Sequence, residues 1–359
     1  MHPLKINDWF DDRHGLKESF LIKTGWQSAK LSSIGEDCAF RRYFRLELDD
    51  KSAVLMEAVP DDGGFATPGH RISDFIAIGK MLLEHDVHTP QIYDIDEKNG
   101  YMLLEDMGDI SFKKALGQNN EEEIYTLATD VLAHIKNSFS SNDHGLPNYY
   151  ESHVHKGRQR IVDWYIPAQR METNSDELRD EYLKIWDDIE ARMPACPQGF
   201  LHIDYHVENL MWCDGYKGLK RCGVLDFQGA MWGPAPYDLA NLLEDARIDV
   251  DENIRVMMID RYAKDMTADE SQTFKAWYRV LATQFHCRLA GQFIRLAVLD
   301  GKTRYLEYIP RVISYLDKGL QDPILKPLSE WFSAQDIHFD RISEIDPLKI
   351  KPFIREDAF

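Results

Sequence analysis

Basic charge, cysteine pairs and long apolar runs are all in short supply in this chain. Five cysteines occur in 359 residues, at Cys38, Cys196, Cys213, Cys222 and Cys287, and no two of them form a C-x-x-C pair. An odd, scattered set of this kind argues against a disulfide framework and against a thiolate zinc site. Nowhere do 18 apolar residues run together, and the N-terminus "MHPLKINDWFDDRHG" carries acids where a secretion signal needs a basic start and an apolar stretch. The expectation is therefore a cytoplasmic protein with neither export signal nor membrane span. Lysine and arginine number 42 against 61 aspartates and glutamates, a formal charge of −19. Long-range electrostatics of that sign oppose binding to nucleic acid or to anionic lipid, although they leave room for a local basic pocket. A glycine-rich G-x-G-x-x-G phosphate loop is also missing.

What is present is the composition of a folded protein, 44% hydrophobic and 29% charged, at a length that predicts about two domains. Residues 1–30 read as a short helical lead-in, with Trp9, Phe10, Leu16, Phe20 and Leu21 at helix-like intervals. "AFRRYFRLEL" and "SAVLMEAV" flank the turn residues Asp49 and Asp50 and predict an antiparallel hairpin. Apolar residues from Ile72 to Leu83 fall on one side of a helix that cannot pass Pro90. A second hairpin is expected in "QIYDIDEKNGYMLLEDMG", where Asn99-Gly100 can supply positive φ. Residues 31–108 thus read as strands around one helix. After Gly108 the pattern predicts long helices over roughly 120–140, 150–170 and 175–193, strand-like runs at 200–228, and helices again from Tyr237 onward.

The chemistry concentrates in that return of strands. His202, Asp204 and Asn209 form H-x-D-x-x-x-x-N, and Asp226-Phe227 follows the apolar run "CGVL". Each residue alone is an ordinary loop polar; the ordered set between apolar runs is the pattern of phosphoryl transfer. That reaction needs positioning and charge neutralisation more than covalent help. Asp204 is suited to orient an acceptor hydroxyl and take its proton, Asn209 and Asp226 to offer hard oxygen ligands to Mg²⁺ on the phosphates of ATP, and His202 to hold the loop.

Together with "FRRYFRL", "VLMEAVP", "LLEDMGD", "GPAPYDLANLLEDAR" and "RLAVLDGKTRYLEYIPRVISYL", this segment resembles the aminoglycoside phosphotransferase superfamily, and within it the N-acetylmuramate/N-acetylglucosamine anomeric kinase branch. The resemblance implies an α+β, protein-kinase-like bilobal fold: a small antiparallel-sheet N-lobe with one main helix at 31–108, and a larger, mostly helical C-lobe at 109–359. It implies an ATP- and Mg²⁺-dependent kinase acting on a small-molecule amino sugar. Gly35 and the backbone of Glu36 to Phe40 would take the place of the glycine-rich loop, with charge from Arg41 or Arg42, or both arginines would lie on a solvated strand face. Backbone groups of Glu105 and Met107 would meet adenine. Asp238 would support the catalytic loop, and at the start of an apolar helix it also complements the helix dipole. His286, Arg288 and Arg295 are candidates for the acceptor pocket, each with burial or solvation as the bland alternative. The aromatics default to core positions, with Trp164 and Trp232 the two to inspect.

Departures from the family pattern bear on the acceptor. Met56 occupies the strand position where such kinases usually hold a phosphate-binding lysine, Ile203 replaces the arginine of regulated protein kinases, Gly229 stands where the branch usually has an acid, and Glu208 where a basic residue is common. Three readings stay open: the anomeric amino-sugar kinase; a kinase of another hydroxyl such as an aminoglycoside, choline or homoserine; and a nucleotide-binding pseudokinase. The oligomeric state is not legible.

Overall fold

The computed structural model describes residues 10, 13–37, 41–63, 67–118, 120–339 and 345–358. They fall into two compact units, one running to Val131 and resuming at Val207–Ala230, the other comprising Leu132–His206 and the chain from Met231 onward. The pattern-based boundary after Gly108 lies inside the first unit. No helix among the described residues is long and apolar enough to cross a membrane.

In the first unit, β1 (Lys30–Asp37), β2 (Arg41–Leu48), β3 (Lys51–Ala58), β4 (Ile92–Asp96) and β5 (Tyr101–Leu104) form an antiparallel sheet ordered β1-β2-β3-β5-β4. The first predicted hairpin is present, with Asp49 at φ 52° between β2 and β3. The second differs in its turn. Asp96 pairs with Tyr101, so four residues close the loop. Only Gly100 is left-handed, at φ 75°, while Asn99 is tied back to the Asp96 carboxylate. A side chain at Gly100 would strike the Ala58 carbonyl.

Side chains alternate across the sheet, as strand geometry requires. Leu46, Ala53, Leu55, Tyr101 and Leu103 form a core on one face with Phe20 of helix α1 (His14–Lys23). Glu57 lies in the same row. Its carboxylate meets Lys17 of α1 at 2.9 Å and accepts from the Tyr101 hydroxyl at 3.1 Å, fastening the lead-in to the sheet. The lead-in does not dock by all its apolar residues, since Leu16 is exposed; Trp9 lies outside the described residues. Helix α2 (Ile72–Glu84) buries Ile72, Phe75, Ile78, Met81 and Leu82. A further helix, α3 (Glu121–Ser138), follows where the pattern placed it.

The second unit is organised on the 32-residue helix α6 (Ala268–Leu299), begun by a reciprocal Thr267–Glu270 cap, with α4 (Asp176–Ala191), α5 (Tyr237–Leu243) and α7 (Ile309–Leu320) beside it. Trp164, Trp186, Tyr182, Phe285 and Leu316 belong to its core. The helix expected over 150–170 is broken into His153–Lys156, a tight turn at Gly157–Gln159, a wide turn at Ile161–Tyr165 and Ile166–Arg170. Packing accounts for the break: Gly291 of α6 sits directly under the Arg160 backbone, where a Cβ would lie 2.0 Å from the Arg160 carbonyl oxygen. A two-stranded sheet joins β6 (Gln198–Leu201) to β9 (Met231–Pro234), a strand the sequence pattern did not indicate.

Candidate functional site

The spacing between Asn209 and Asp226 has a structural cause. Strand β7 (Leu210–Trp212) pairs antiparallel with β8 (Cys222–Val224), with Leu210 opposite Val224. One step beyond, the Leu225 N–H donates to the Asn209 carbonyl at 2.9 Å. Asn209 and Asp226 therefore emerge at the same end of one hairpin. Asp226 is left-handed at φ 59°, and its carboxylate accepts from the Gln228 amide at 2.5 Å. Phe227 turns the other way and packs on Phe75 of α2, ring centroids 4.9 Å apart, with Gly79 beneath it.

Both residues line a cavity of about 350 Å³ in the first unit, along with Ile34, Val54, Met107 and Gln228. Carbonyl and carboxylate oxygens suit a hard divalent cation, and Mg²⁺ takes only one or two protein ligands beside substrate phosphates and water. Among the described residues no cluster of three His, Cys, Asp or Glu forms an all-protein cage. The donor set at Asn209 and Asp226 thus fits Mg²⁺ that arrives with a nucleotide.

The opposite wall is the segment after β5. Its backbone is fixed where the Glu105 N–H donates to the Gln91 carbonyl. Its side chains are more heavily engaged than the sequence suggested. The Glu105 carboxylate accepts from His88 Nε2 at 3.2 Å, the Tyr216 hydroxyl at 2.5 Å and the Gln91 N–H at 3.2 Å. Burial would raise its pKa, but these bonds outweigh burial and lower it. Burial likewise opposes charge on His88, yet hydrogen bonds to Cys213, Glu105 and the Lys220 carbonyl push its pKa up to about 9. Both ring nitrogens then donate, Nδ1 to the Lys220 carbonyl at 2.7 Å. Next along, Arg45 of β2 grips Asp106 through two bonds of 2.7 and 2.9 Å and reaches the Asp109 carboxylate and the Gly108 carbonyl.

Asp204 belongs to the second unit, and its loop is held from α5. Ile203, a buried β-branched residue, sits at φ 80°, a conformation that costs on the order of 1–3 kcal/mol unless its surroundings enforce it. Asp238 accepts from the His202 N–H at 2.5 Å and the Ile203 N–H at 2.9 Å, and the Asn241 amide donates to the Ile203 carbonyl at 2.6 Å. The strained peptide is thus clamped at both ends, leaving Asp204 exposed between buried Ile203 and Tyr205. Burial pushes the Asp238 pKa up to about 7 against the pull of the two N–H donors. His202 is buried, its ring edge-on to Tyr205.

The other sequence candidates fare differently. Gly35 marks a bulge in β1 and pairs with Tyr43; Cys38–Phe40 of the expected phosphate cradle lie outside the described residues. Arg41 is not on a solvated face: it is buried, with its guanidinium 5.9 Å from the Phe75 ring, while Arg42 lies 4.5 Å from the Phe10 ring. Met56 is fully buried in the middle of the sheet. Glu208 pairs with Lys113 at 2.6 Å. His286 is enclosed, stacked on Tyr315, with Nδ1 3.6 Å from Glu244, and burial lowers its pKa. Arg288 donates to the Tyr237 hydroxyl at 2.8 Å, and Arg295 is half-buried two turns further along α6. Trp164 is core, whereas Trp232 is half-buried on β9. Sequence reasoning missed His88 and Asn241. The i, i+3 spacing of Asp238 and Asn241 was a usable signal for the second; nothing marked the first.

A model of the phosphotransferase enzyme family matches residues 30–284. An N-acetylmuramate/N-acetylglucosamine kinase of Pseudomonas aeruginosa is 31% identical over 342 residues, covering 92% of this chain and 96% of that protein. One of the same name from Caulobacter vibrioides is 28% identical over 349 residues, covering 89% and 96%. In fold, the chain is similar to a choline/ethanolamine kinase family protein from Mesorhizobium loti, with TM-score 0.58, 12% identity and coverage of 91% and 98%. A GDP-bound aminoglycoside 2′-phosphotransferase aligns with TM-score 0.55 at 16% identity, covering 85% and 96%. The chain thus shares the α+β, protein-kinase-like architecture of these solved structures.

Proposed function

This chain belongs to the phosphotransferase enzyme family, and from that membership we propose that it transfers the γ-phosphoryl group of ATP to the anomeric hydroxyl of N-acetylmuramate or N-acetylglucosamine, a salvage step for cell-wall sugar in the cytoplasm. The observation that carries the chemistry is the hairpin that delivers Asn209 and Asp226 together into the cavity walled by Glu105 and Met107. Residues 31–108 serve the nucleotide and 109–359 the catalytic loop and acceptor.

Adenine meets the backbone of Glu105 to Met107, which Arg45 and His88 hold in place. Mg²⁺, when bound at Asn209 and Asp226, neutralises phosphate charge. Asp204 accepts the proton of the attacking hydroxyl, and the clamp of Asp238 and Asn241 fixes its direction, so that orientation rather than covalent participation supplies the rate. Purified protein with ATP and Mg²⁺ should convert both sugars to their 1-phosphates, read by phosphorus NMR and ADP release. Turnover of neither sugar, with turnover of a cationic alcohol such as choline, would refute the assignment of substrate.

A further inference from the structure

Several buried or half-buried arginines of the second unit are paired with carboxylates. Arg158 pairs with Asp187 and Glu190 at 2.8 and 2.6 Å, Arg179 with Asp163 at 2.8 Å, and Arg311 with Asp249 at 2.5 Å. Arg170 is satisfied by the Gln335 carbonyl instead, and three others remain. Arg160, Arg288 and Arg295 are half-buried, and among the described residues none has a carboxylate within 4 Å.

The packing of the broken segment on α6 gathers these three in one place. Arg288 and Arg295 lie two turns apart on one face of α6, with Gln292 between them. Arg160 comes from the segment pressed on Gly291 of the same face. Gly157 makes room for the pair: a Cβ there would lie 3.0 Å from Arg288 Cγ and 3.3 Å from Arg160 Nη1. Arg288 Nε and Gln292 Oε1 are enclosed without a hydrogen-bond partner among the described residues. Burial and the neighbouring charges of Arg288 and Arg295 together depress the Arg160 pKa to about 10, which still leaves it charged at neutral pH, so the three guanidinium groups repel one another. In a chain of net charge −19 this is a marked concentration of positive charge. Arg288 is also within Coulombic reach of Asp204.

We propose that Arg160, Arg288 and Arg295 form an anion-recognition site that takes the carboxylate of an anionic acceptor and sets its reacting hydroxyl toward Asp204. The inference rests on the sugar-kinase reading, and it ranks the two sugars. N-acetylmuramate bears a lactyl carboxylate that N-acetylglucosamine lacks, so it alone completes the arginine cluster through charge-assisted, bidentate bonds.

The test is the ratio of kcat/KM for N-acetylmuramate to that for N-acetylglucosamine, in the wild type and in Arg160→Gln, Arg295→Gln and Arg295→Lys, with thermal unfolding to verify the fold of each. Each glutamine variant should lower the ratio about 10- to 100-fold, the loss of one charged hydrogen bond, and the lysine variant should recover part of it. The wild-type preference should also shrink as salt is raised. Ratios that stay within about twofold in both glutamine variants would overturn the proposal while leaving the kinase assignment intact. If neither sugar is turned over, the sugar-substrate assignment fails, and calorimetric titration with the two sugars decides the anion site separately: tighter binding of N-acetylmuramate that is lost in Arg160→Gln supports it, and equal or absent binding of the two overturns it.

Discussion

In the segment after β5 that walls the first unit's cavity, the charged groups are paired within the protein: Glu105 has His88 and Tyr216, while Asp106 has Arg45. The proposed acceptor side of the second unit is different, with Asp204 exposed and three arginines lacking carboxylate partners among the described residues. A buried charge that already has its counter-charge fixes geometry, and breaking the pair costs stability. A charge that is exposed, or that lacks a counter-charge, contributes little to folding and is available to a ligand. Mutations should therefore divide into those that affect stability and those that affect turnover.

The largest expected effect falls on the exposed acid. Asp204→Asn should lower kcat by about 10³ in the coupled ADP assay, with unfolding free energy changed by no more than about 0.5 kcal/mol because the side chain is exposed. A stability loss of several kcal/mol would break the comparison.

A closed group should behave in the opposite way. Removing the imidazole with His88→Ala leaves Glu105 buried beside no cation, and should destabilise the protein by about 2–3 kcal/mol in urea unfolding. The same residue makes a pH prediction. Its folded pKa of about 9 exceeds the ordinary value near 6.5, so the stability it contributes is complete below about pH 6.5 and is lost as pH rises through about 9. That decline should be absent in the variant.

Asn241→Ala tests an intermediate case, since it frees the Ile203 carbonyl while leaving both bonds to Asp238. We expect about a tenfold loss in kcat and about 1 kcal/mol in stability. Asp238 itself should show the reverse pH trend to a normal aspartate: with a folded pKa near 7, its stabilising contribution falls as pH rises from about 4 to about 7, so the gap in melting temperature between wild type and Asp238→Asn should narrow over that range. The smallest effect belongs to Gly229→Asp. A Cβ at this position meets no atom within 4 Å, so an acid there should be accommodated with less than about 0.5 kcal/mol of change.

Much of this is legible in the order of the amino acids alone. Alternation and turn residues locate both N-terminal hairpins, and the ordered Asp204, Asn209 and Asp226 mark the candidate site, because strand pairing and a hairpin one step longer than its ladder leave a fixed spacing in sequence. The stretch over 150–170 reads as one helix because its interruption is dictated by Gly291, more than a hundred residues away. Arg41 reads equally well as a residue of a solvated strand face, yet α2 buries it under Phe75. His286 has the chemistry of an acceptor-binding residue, and Glu244 and Tyr315 claim it instead.

By itself, then, the sequence determined the sheet, the long helices and the candidate site residues, all of which depend on neighbours within a few turns or strands. Only the tertiary structure decided which charges are satisfied. An arginine in one segment reads the same whether a carboxylate from a distant helix reaches it or not, and that difference separates Arg158, locked to Glu190, from Arg160, left facing Arg288 and Arg295.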